Sequence, residues 1–316
     1  MKPKTLFQNP ILASAGCTAV ILRRSDSSYS PYTPSSSLLA CRPFARPRAC
    51  GAGYETASTT WPLLAAFLLL TGARGSAEDN TLSEAEKKDG WILLFDGKTH
   101  KGWKTSGLKE SKTPVEDGCI NPHGCGDYMM IYEKPLSNFI LSLDFKISPN
   151  CNSGIFVRTS SLTPLPKRDV GYNGLEIAVD DTPANGYTDT GAVYDLSKPS
   201  KNAMRLGSKG ERHGQWNHIE IRCDGSRITV KLNGEPVNDV DLSKFTTPNR
   251  RPDGTAHKFD IAYKDHPLVG YIGLQDHGQP CWYKNIKLKP LADGPDASKA
   301  RAAATSASKS GASAAK

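Results

Sequence analysis

The sequence predicts an all-β domain, an antiparallel two-sheet jelly-roll sandwich, on three observations. Between about residues 90 and 291, short runs carry an apolar residue at every second position. Asp224-Gly225 and Asn233-Gly234 follow two of these runs, and such pairs are the strongest short-range hairpin signal. After Lys88 no stretch keeps a 3.6-residue apolar period for more than two turns. Taken in order, the predicted strands are 91–95, then 141–147, where Leu141, Leu143, Phe145 and Ile147 oppose Ser142, Asp144 and Lys146. Residues 153–158, 175–179 and 191–194 follow, and then Ile219, Ile221 and Cys223 alternate up to Asp224-Gly225. Ile228, Val230 and Leu232 resume the alternation before Asn233-Gly234, and 259–263, 271–274 and 282–288 complete the set. Around ten short strands in about 200 residues bury themselves best as two stacked sheets.

Charge divides the chain of 316 residues. The whole carries 40 Lys+Arg against 32 Asp+Glu, a net +8, which by itself suggests a nucleic-acid or anionic-surface partner. Residues 78–291, however, hold 28 charges of each sign, so the excess sits entirely in the ends. The domain is neutral, and no nucleic-acid partner is expected. Residues 1–60 read as a disordered basic leader rich in Ser, Pro, Ala and Arg. Residues 61–77 read as a signal-peptide-like segment, with an apolar run from Trp61 to Leu70 and small residues up to Ala77. A run of ten is too short for a span of about 20 residues and fits a secretory signal with cleavage after Ala77. The mature protein is therefore expected to be exported, periplasmic or extracellular, with no stable membrane span. Residues 78–89 read as a linker, and 292–316, an Ala/Ser/Lys tract, as a disordered tail. The five domain cysteines (Cys119, Cys125, Cys151, Cys223, Cys281) are odd in number, so at least one is unpaired in a monomer. Cys119 and Cys125 are the pair nearest in sequence. No C-x-x-C occurs, so zinc-finger spacing is absent.

Three strands have a polar face with gaps. Gly174, Glu176, Ala178 and Asp180 oppose Leu175, Ile177 and Val179; Gly273, Gln275 and His277 oppose Ile272 and Leu274; Arg158 shares its predicted face with Gly154 and Phe156. A hydrogen-bonding residue beside small neighbours is how a sheet leaves room for a ligand, whereas a merely solvated face lacks the Gly/Ala gaps.

These segments together resemble the 3-keto-disaccharide hydrolase domain family. The matching residues are Leu94-Phe95-Asp96-Gly97-Lys98, Gly102-Trp103, Val115-Glu116-Asp117-Gly118, and Asn152 through Arg158. They continue through Gly174-Leu175-Glu176, Thr190 to Tyr194, Gln215-Trp216-Asn217, Leu232-Asn233-Gly234, Gly273 to Gly278 and Asn285-Ile286. The resemblance covers about 90–291 and implies a concanavalin-A-like jelly roll. Two departures are Cys151, where relatives carry a small or polar residue, and Lys284, where Arg is common. The implied activity is cleavage of the glycosidic bond of a 3-keto disaccharide or glycoside. The C3 ketone acidifies C2–H, a base removes that proton, C1–O leaves by elimination, and water then adds.

Spacing agrees with that chemistry. Glu176 and Asp180 share a face but stand four residues apart, roughly 13 Å at about 3.3 Å per residue. Ordinary glycosidases hold their carboxylates about 5–5.5 or 6.5–9.5 Å apart. Glu176 reads as the base or a metal ligand, or else as a structural partner of Arg158. His277 reads as acid/base or metal ligand, and Arg158 as the stabiliser of the enolate. Gln275, Asn152 and Asp180 read as sugar contacts. Asp180-Asp181 also leaves room for a divalent cation, although Asp-x-Asp-x-Asp-Gly is not met. Trp216 and Trp282 read as core before sugar platforms. The alternative function is a non-catalytic, lectin-like carbohydrate-binding module on the same scaffold.

Overall fold

The computed structural model describes residues 78–181 and 185–293. The leader, the apolar run ending at Ala77 and the tail beyond Asp293 lie outside the described residues. Helix α1 (Glu84–Lys88) is followed by β1 (Ile92–Leu93), β2 (Trp103–Thr105), β3 (Met129–Tyr132), β4 (Phe139–Ile147) and β5 (Asn152–Thr159). Then come β6 (Leu175–Asp180), β7 (Asn217–Asp224), β8 (Arg227–Leu232), β9 (Glu235–Asp241), β10 (Tyr271–Gln275) and β11 (Cys281–Pro290). Two sheets form, a six-stranded one ordered β1-β11-β4-β7-β8-β9 and a five-stranded one ordered β2-β3-β10-β5-β6. Neighbouring strands are antiparallel in both. The two-sheet jelly roll expected from the sequence is therefore the fold observed.

The alternation in β4 explains the layering. Phe139, Leu141, Leu143, Phe145 and Ile147 are buried in turn and meet Ile155, Val157, Leu175, Ile177, Val179, Ile272 and Leu274 from the other sheet in one cluster. Each such side chain removed from water contributes about 1.5–3 kcal/mol before chain entropy is counted. Two predicted strands are not strands. Within 191–194 only Val193 makes bridges, to Ile177 and Ser197. The stretch 259–263 is a loop that buries Phe259 and Tyr263 edge to face, with ring centroids 5.3 Å apart. Three strands lack a period-2 signal. β3 is apolar on both faces, because Met130 joins the intersheet core while Met129 and Ile131 pack outside it with Phe156 and Val170. β9 is an edge strand with Glu235, Pro236 and Asp239 exposed, which suits an edge but hides the pattern. β2 is only three residues long.

Residues 78–89, read as a linker, instead dock along β11. Ser83 and Glu86 form a capping box on α1. Asn80 and Asn285 exchange backbone-to-side-chain bonds of 2.6 and 2.9 Å. Lys284, Lys287 and Lys289 reach Asp79, Glu86 and Asp89 at 2.6, 2.8 and 2.6 Å. Ion pairs this near the surface each add little to stability. All five domain cysteines are free and buried. The Cys119 and Cys125 thiols donate to different carbonyls, Asp117 and Asp127, each at 3.3 Å, so the pairing nearest in sequence is not made. Among the described residues, no helix is long and apolar enough to cross a membrane.

Candidate active site

The outer face of the five-stranded sheet carries Glu176, Asp180 and Gln275 of the polar residues that the strand pattern singled out. Strand register sets Glu176 opposite Phe156, Ala178 opposite Gly154, and Asp180 opposite Asn152. On the other side of β5, Gly273 stands opposite Phe156, and Gln275 of β10 pairs with Met129 of β3. One rung of the sheet thus reads Ile131–Gly273–Phe156–Glu176, and the next brings Gln275 beside Gly154.

Gly154 is what allows Glu176 its position. A Cβ at residue 154 would stand 2.5 Å from Glu176 Cγ, 2.8 Å from Cδ and 2.9 Å from Oε1, so the glutamate lies across the bare glycine. A Cβ on Gly273 would meet Met129 Sδ at 2.3 Å and Phe156 Cβ at 3.3 Å, so that gap is filled by the apolar floor. Among the described residues no side chain forms an ion pair or hydrogen bond with the Glu176 carboxylate. Burial raises its pKa to about 8, with the charges of Asp169 and Asp180 adding to the rise and Lys258 opposing it.

Three groups missed by sequence reasoning surround it. Gln275 Nε2 donates to the Tyr128 hydroxyl at 2.7 Å. Burial, and then the Glu176 charge, push the Tyr128 pKa up, so this hydroxyl keeps its proton. The Lys258 ammonium sits 4.2 Å above the Tyr194 ring and 5.0 Å above that of Tyr172, while its backbone N–H donates to Asp195 at 2.8 Å. Burial and Glu176 likewise raise the Tyr194 pKa. Tyr128 lies just ahead of β3, whose two-sided apolar pattern hid the strand. Lys258 lies in a loop, where no local signal places a side chain.

The remaining predicted residues divide. Gln275 is buried beside Glu176, with its Oε1 unpartnered. Asn152 is partly buried and Asp180 almost fully buried on the same face. Asp181 belongs elsewhere, accepting from Asn150 N at 2.8 Å and lying 3.3 Å from His213 Nδ1. No group of three His, Cys, Asp or Glu side chains suited to a metal occurs among the described residues. His277 is exposed in the loop after β10, with no side-chain partner among the described residues. Its neighbour Asp276 instead anchors that loop, accepting from Gly124 N at 2.8 Å and Gly278 N at 3.1 Å.

Arg158 corrects the strand pattern outright. Between Phe156, opposite Gly273, and Thr159, opposite Tyr271, the register slips by a residue, and Arg158 adopts φ +54°. Such a bulge re-aims a side chain. Arg158 turns inward, 0% exposed, donating to Asn138 Oδ1 at 3.4 Å, with Nε and Nη1 unpartnered. Its charge is felt by Cys223 and His266 and is not among those acting on Glu176. No Glu176–Arg158 salt bridge is formed, and the guanidinium lies off the face that carries Glu176. Arg158→Met is accordingly expected to keep turnover of the same order and to fold at least as stably, because an unpaired buried cation costs more than an apolar side chain of similar length. A loss of turnover with an unchanged melting temperature would return Arg158 to the site.

Trp216 and Trp282 also depart from their expected place. Both stand on the outer face of the six-stranded sheet, each ring centroid 5.0 Å from Lys146 Nζ. Lys284 Nζ lies 4.4 Å above Trp216 and pairs with Asp79, so its carboxylate partner belongs to the chain itself. A cavity of about 400 Å³ lined by Tyr187, Phe245 and Arg251 among others borders β9 and contains none of the groups around Glu176.

The fold is that of a two-sheet jelly-roll protein with a desolvated carboxylate on the outer face of one sheet. The chain belongs to the 3-keto-α-glucoside-1,2-lyase-like domain family, which it matches over residues 90–289. Membership agrees with the resemblance drawn from the motifs and places the chain among carbohydrate-cleaving enzymes. It is 28% identical over 244 residues to the 3-keto-disaccharide hydrolase of Bacteroides thetaiotaomicron, covering 68% of this chain and 83% of that one. A provisionally assigned glycosyl hydrolase from Parabacteroides distasonis superposes with a TM-score of 0.51 at 28% identity, over 64% of this chain and 99% of its own. A second such structure from that organism, at 24% identity and a TM-score of 0.55, covers 68% and 100% and shares the fold.

Proposed function

We propose that this protein cleaves the glycosidic bond of 3-keto disaccharides or 3-keto glycosides by elimination and hydration, with Glu176 as the base. The observation that carries this reading is a lone carboxylate held across Gly154, without a cationic ion-pair partner and with its pKa raised to about 8. A base of that strength suits a C–H made acidic by an adjacent ketone far better than an ordinary carboxylate does. Glu176 takes the C2 proton, and the electron pair forms an enolate on the C3 oxygen. The Tyr128 O–H, its oxygen already accepting from Gln275, and the Lys258 ammonium supply the donor and the positive field that the enolate needs. Collapse of the enolate expels the C1 oxygen, which takes up a proton from solvent. Water adds at C1 and releases a proton to solvent, and Glu176, its proton meanwhile exchanged with solvent, reprotonates C2. Displacement at C1 would call for a second carboxylate close to the first. Asp169 instead caps Gly171 N at 2.9 Å, and Asp180 stands four residues along the same strand.

The test is incubation with a 3-keto disaccharide and, in parallel, its unoxidised parent, in deuterated water. Only the keto sugar is expected to be cleaved, with deuterium at C2 of the released keto monosaccharide above an enzyme-free control. Equal cleavage of the parent, or product without C2 deuterium, would sink the elimination mechanism. Sugar binding without cleavage of either would make the chain a binding module.

A further inference from the structure

We propose that Cys151 and Cys281 join in a disulfide that staples the two sheets together behind the substrate face. Cys281 opens β11 in the six-stranded sheet, and Cys151 immediately precedes β5 in the other. The chain between β4 and β5 folds back against β11 at this corner. Cys281 stands opposite Ile147, Ser148 N donates to Pro280 O at 3.2 Å, and Cys151 N donates to Ser148 O at 3.2 Å. Two residues further along each strand, Ser153 Oγ and the Tyr283 hydroxyl are 2.9 Å apart across the sheets. Contacts on both sides thus bracket the two cysteines. Both are 0% exposed in the same core cluster, and their thiols lie within hydrogen-bonding reach of each other. A disulfide needs closely approaching Cβ atoms and little backbone movement from such a start.

In the reaction each thiol loses its proton, one sulfur–sulfur bond forms, and two electrons reduce the disulfide of an oxidant such as oxidised glutathione to two thiols. Burial and the adjoining thiol raise the Cys281 pKa, so the folded Cys281 thiol reacts slowly. The bond therefore forms as the chain folds, before the corner closes. The export expected from the sequence would supply an oxidising compartment. The link would close a loop of about 130 residues, and long loops gain most from closure. It also flanks Ser153, whose hydroxyl donates to the Gln275 carbonyl at 2.8 Å, so the staple braces the strand that presents Gln275.

The experiment refolds the full chain in reduced and oxidised glutathione, alkylates free thiols after denaturation, and maps unreduced peptides by mass spectrometry. A peptide pair joining Cys151 to Cys281 is expected, two hydrogens lighter than its reduced halves, with Cys17, Cys41, Cys50, Cys119, Cys125 and Cys223 alkylated. The melting temperature should exceed that of the reduced protein by roughly 5–10 °C. Cys151→Ser and Cys281→Ala should each remove that gain while leaving turnover unchanged. Alkylation of both cysteines after oxidative refolding, or their linkage to other cysteines as often as to each other, would overturn the proposal.

Discussion

Glu176→Gln is expected to reduce kcat on a 3-keto disaccharide roughly 100- to 10,000-fold, the range spanned by removal of a positioned base, without weakening the fold. In the wild type, activity should rise with pH through about 8, because the base acts only when deprotonated and burial holds its pKa there. Stability should run the other way. The carboxyl is raised from 4.5 to about 8, so between those values the folded chain keeps a proton that the unfolded chain has lost. This contribution is fully present below 4.5 and is lost as pH rises through about 8. Glutamine cannot ionise, so the variant should melt like the wild type at pH 5 and above it at pH 9. Initial rates and melting curves across that range check both halves. A variant that melts far below the wild type at every pH would make Glu176 a structural residue.

Gly154→Ala is expected to have the second-largest effect, through a residue that carries no chemistry. The added methyl would occupy space 2.5 Å from Glu176 Cγ. That atom is near the backbone, so the side chain cannot clear it by moving only its tip. Glu176 must then leave its place over β5. Turnover should fall by roughly 100-fold, since a small misplacement of a catalytic group costs about that much. The melting temperature should fall only a few degrees, as overpacking costs about 1–3 kcal/mol. Combining Gly154→Ala with Glu176→Gln should lower the rate no further than Glu176→Gln alone, because both changes disable one unit. Additive losses would show that Gly154 acts on something other than Glu176.

The parts of the site legible in the sequence were those governed by strand alternation. Gly154, Glu176 and Gln275 lie on continuous strands, and the period of two placed them on one face as anticipated. Arg158 obeys the same pattern in the sequence but not in space, because a single extra residue in β5 inverts the face of whatever follows it. His277 fails for a related reason: β10 ends at Gln275, and beyond that point alternation no longer fixes direction. Tyr128 and Lys258 approach Glu176 only through the docking of a neighbouring strand and a distant loop. The misread strands have local causes too. The 259–263 segment is apolar enough for a strand, yet it buries its rings without joining either sheet, while β9 pairs with β8 and carries mostly polar side chains.

Strand periodicity, charge and motif order were enough to specify the two-sheet fold, the neutrality of the domain, the face that bears Glu176 and the family to which the chain belongs. Each follows from side-chain chemistry repeated along the chain, which needs no knowledge of partners distant in sequence. The tertiary structure alone decided that Arg158 is buried between the sheets, that Glu176 is enclosed enough to hold a proton near neutral pH, and that Tyr128 and Lys258 face it. It also decided that Cys151 meets Cys281 rather than Cys119 meeting Cys125. Desolvation, bulge geometry and contacts between residues roughly fifty or more positions apart arise only once the sheets have stacked.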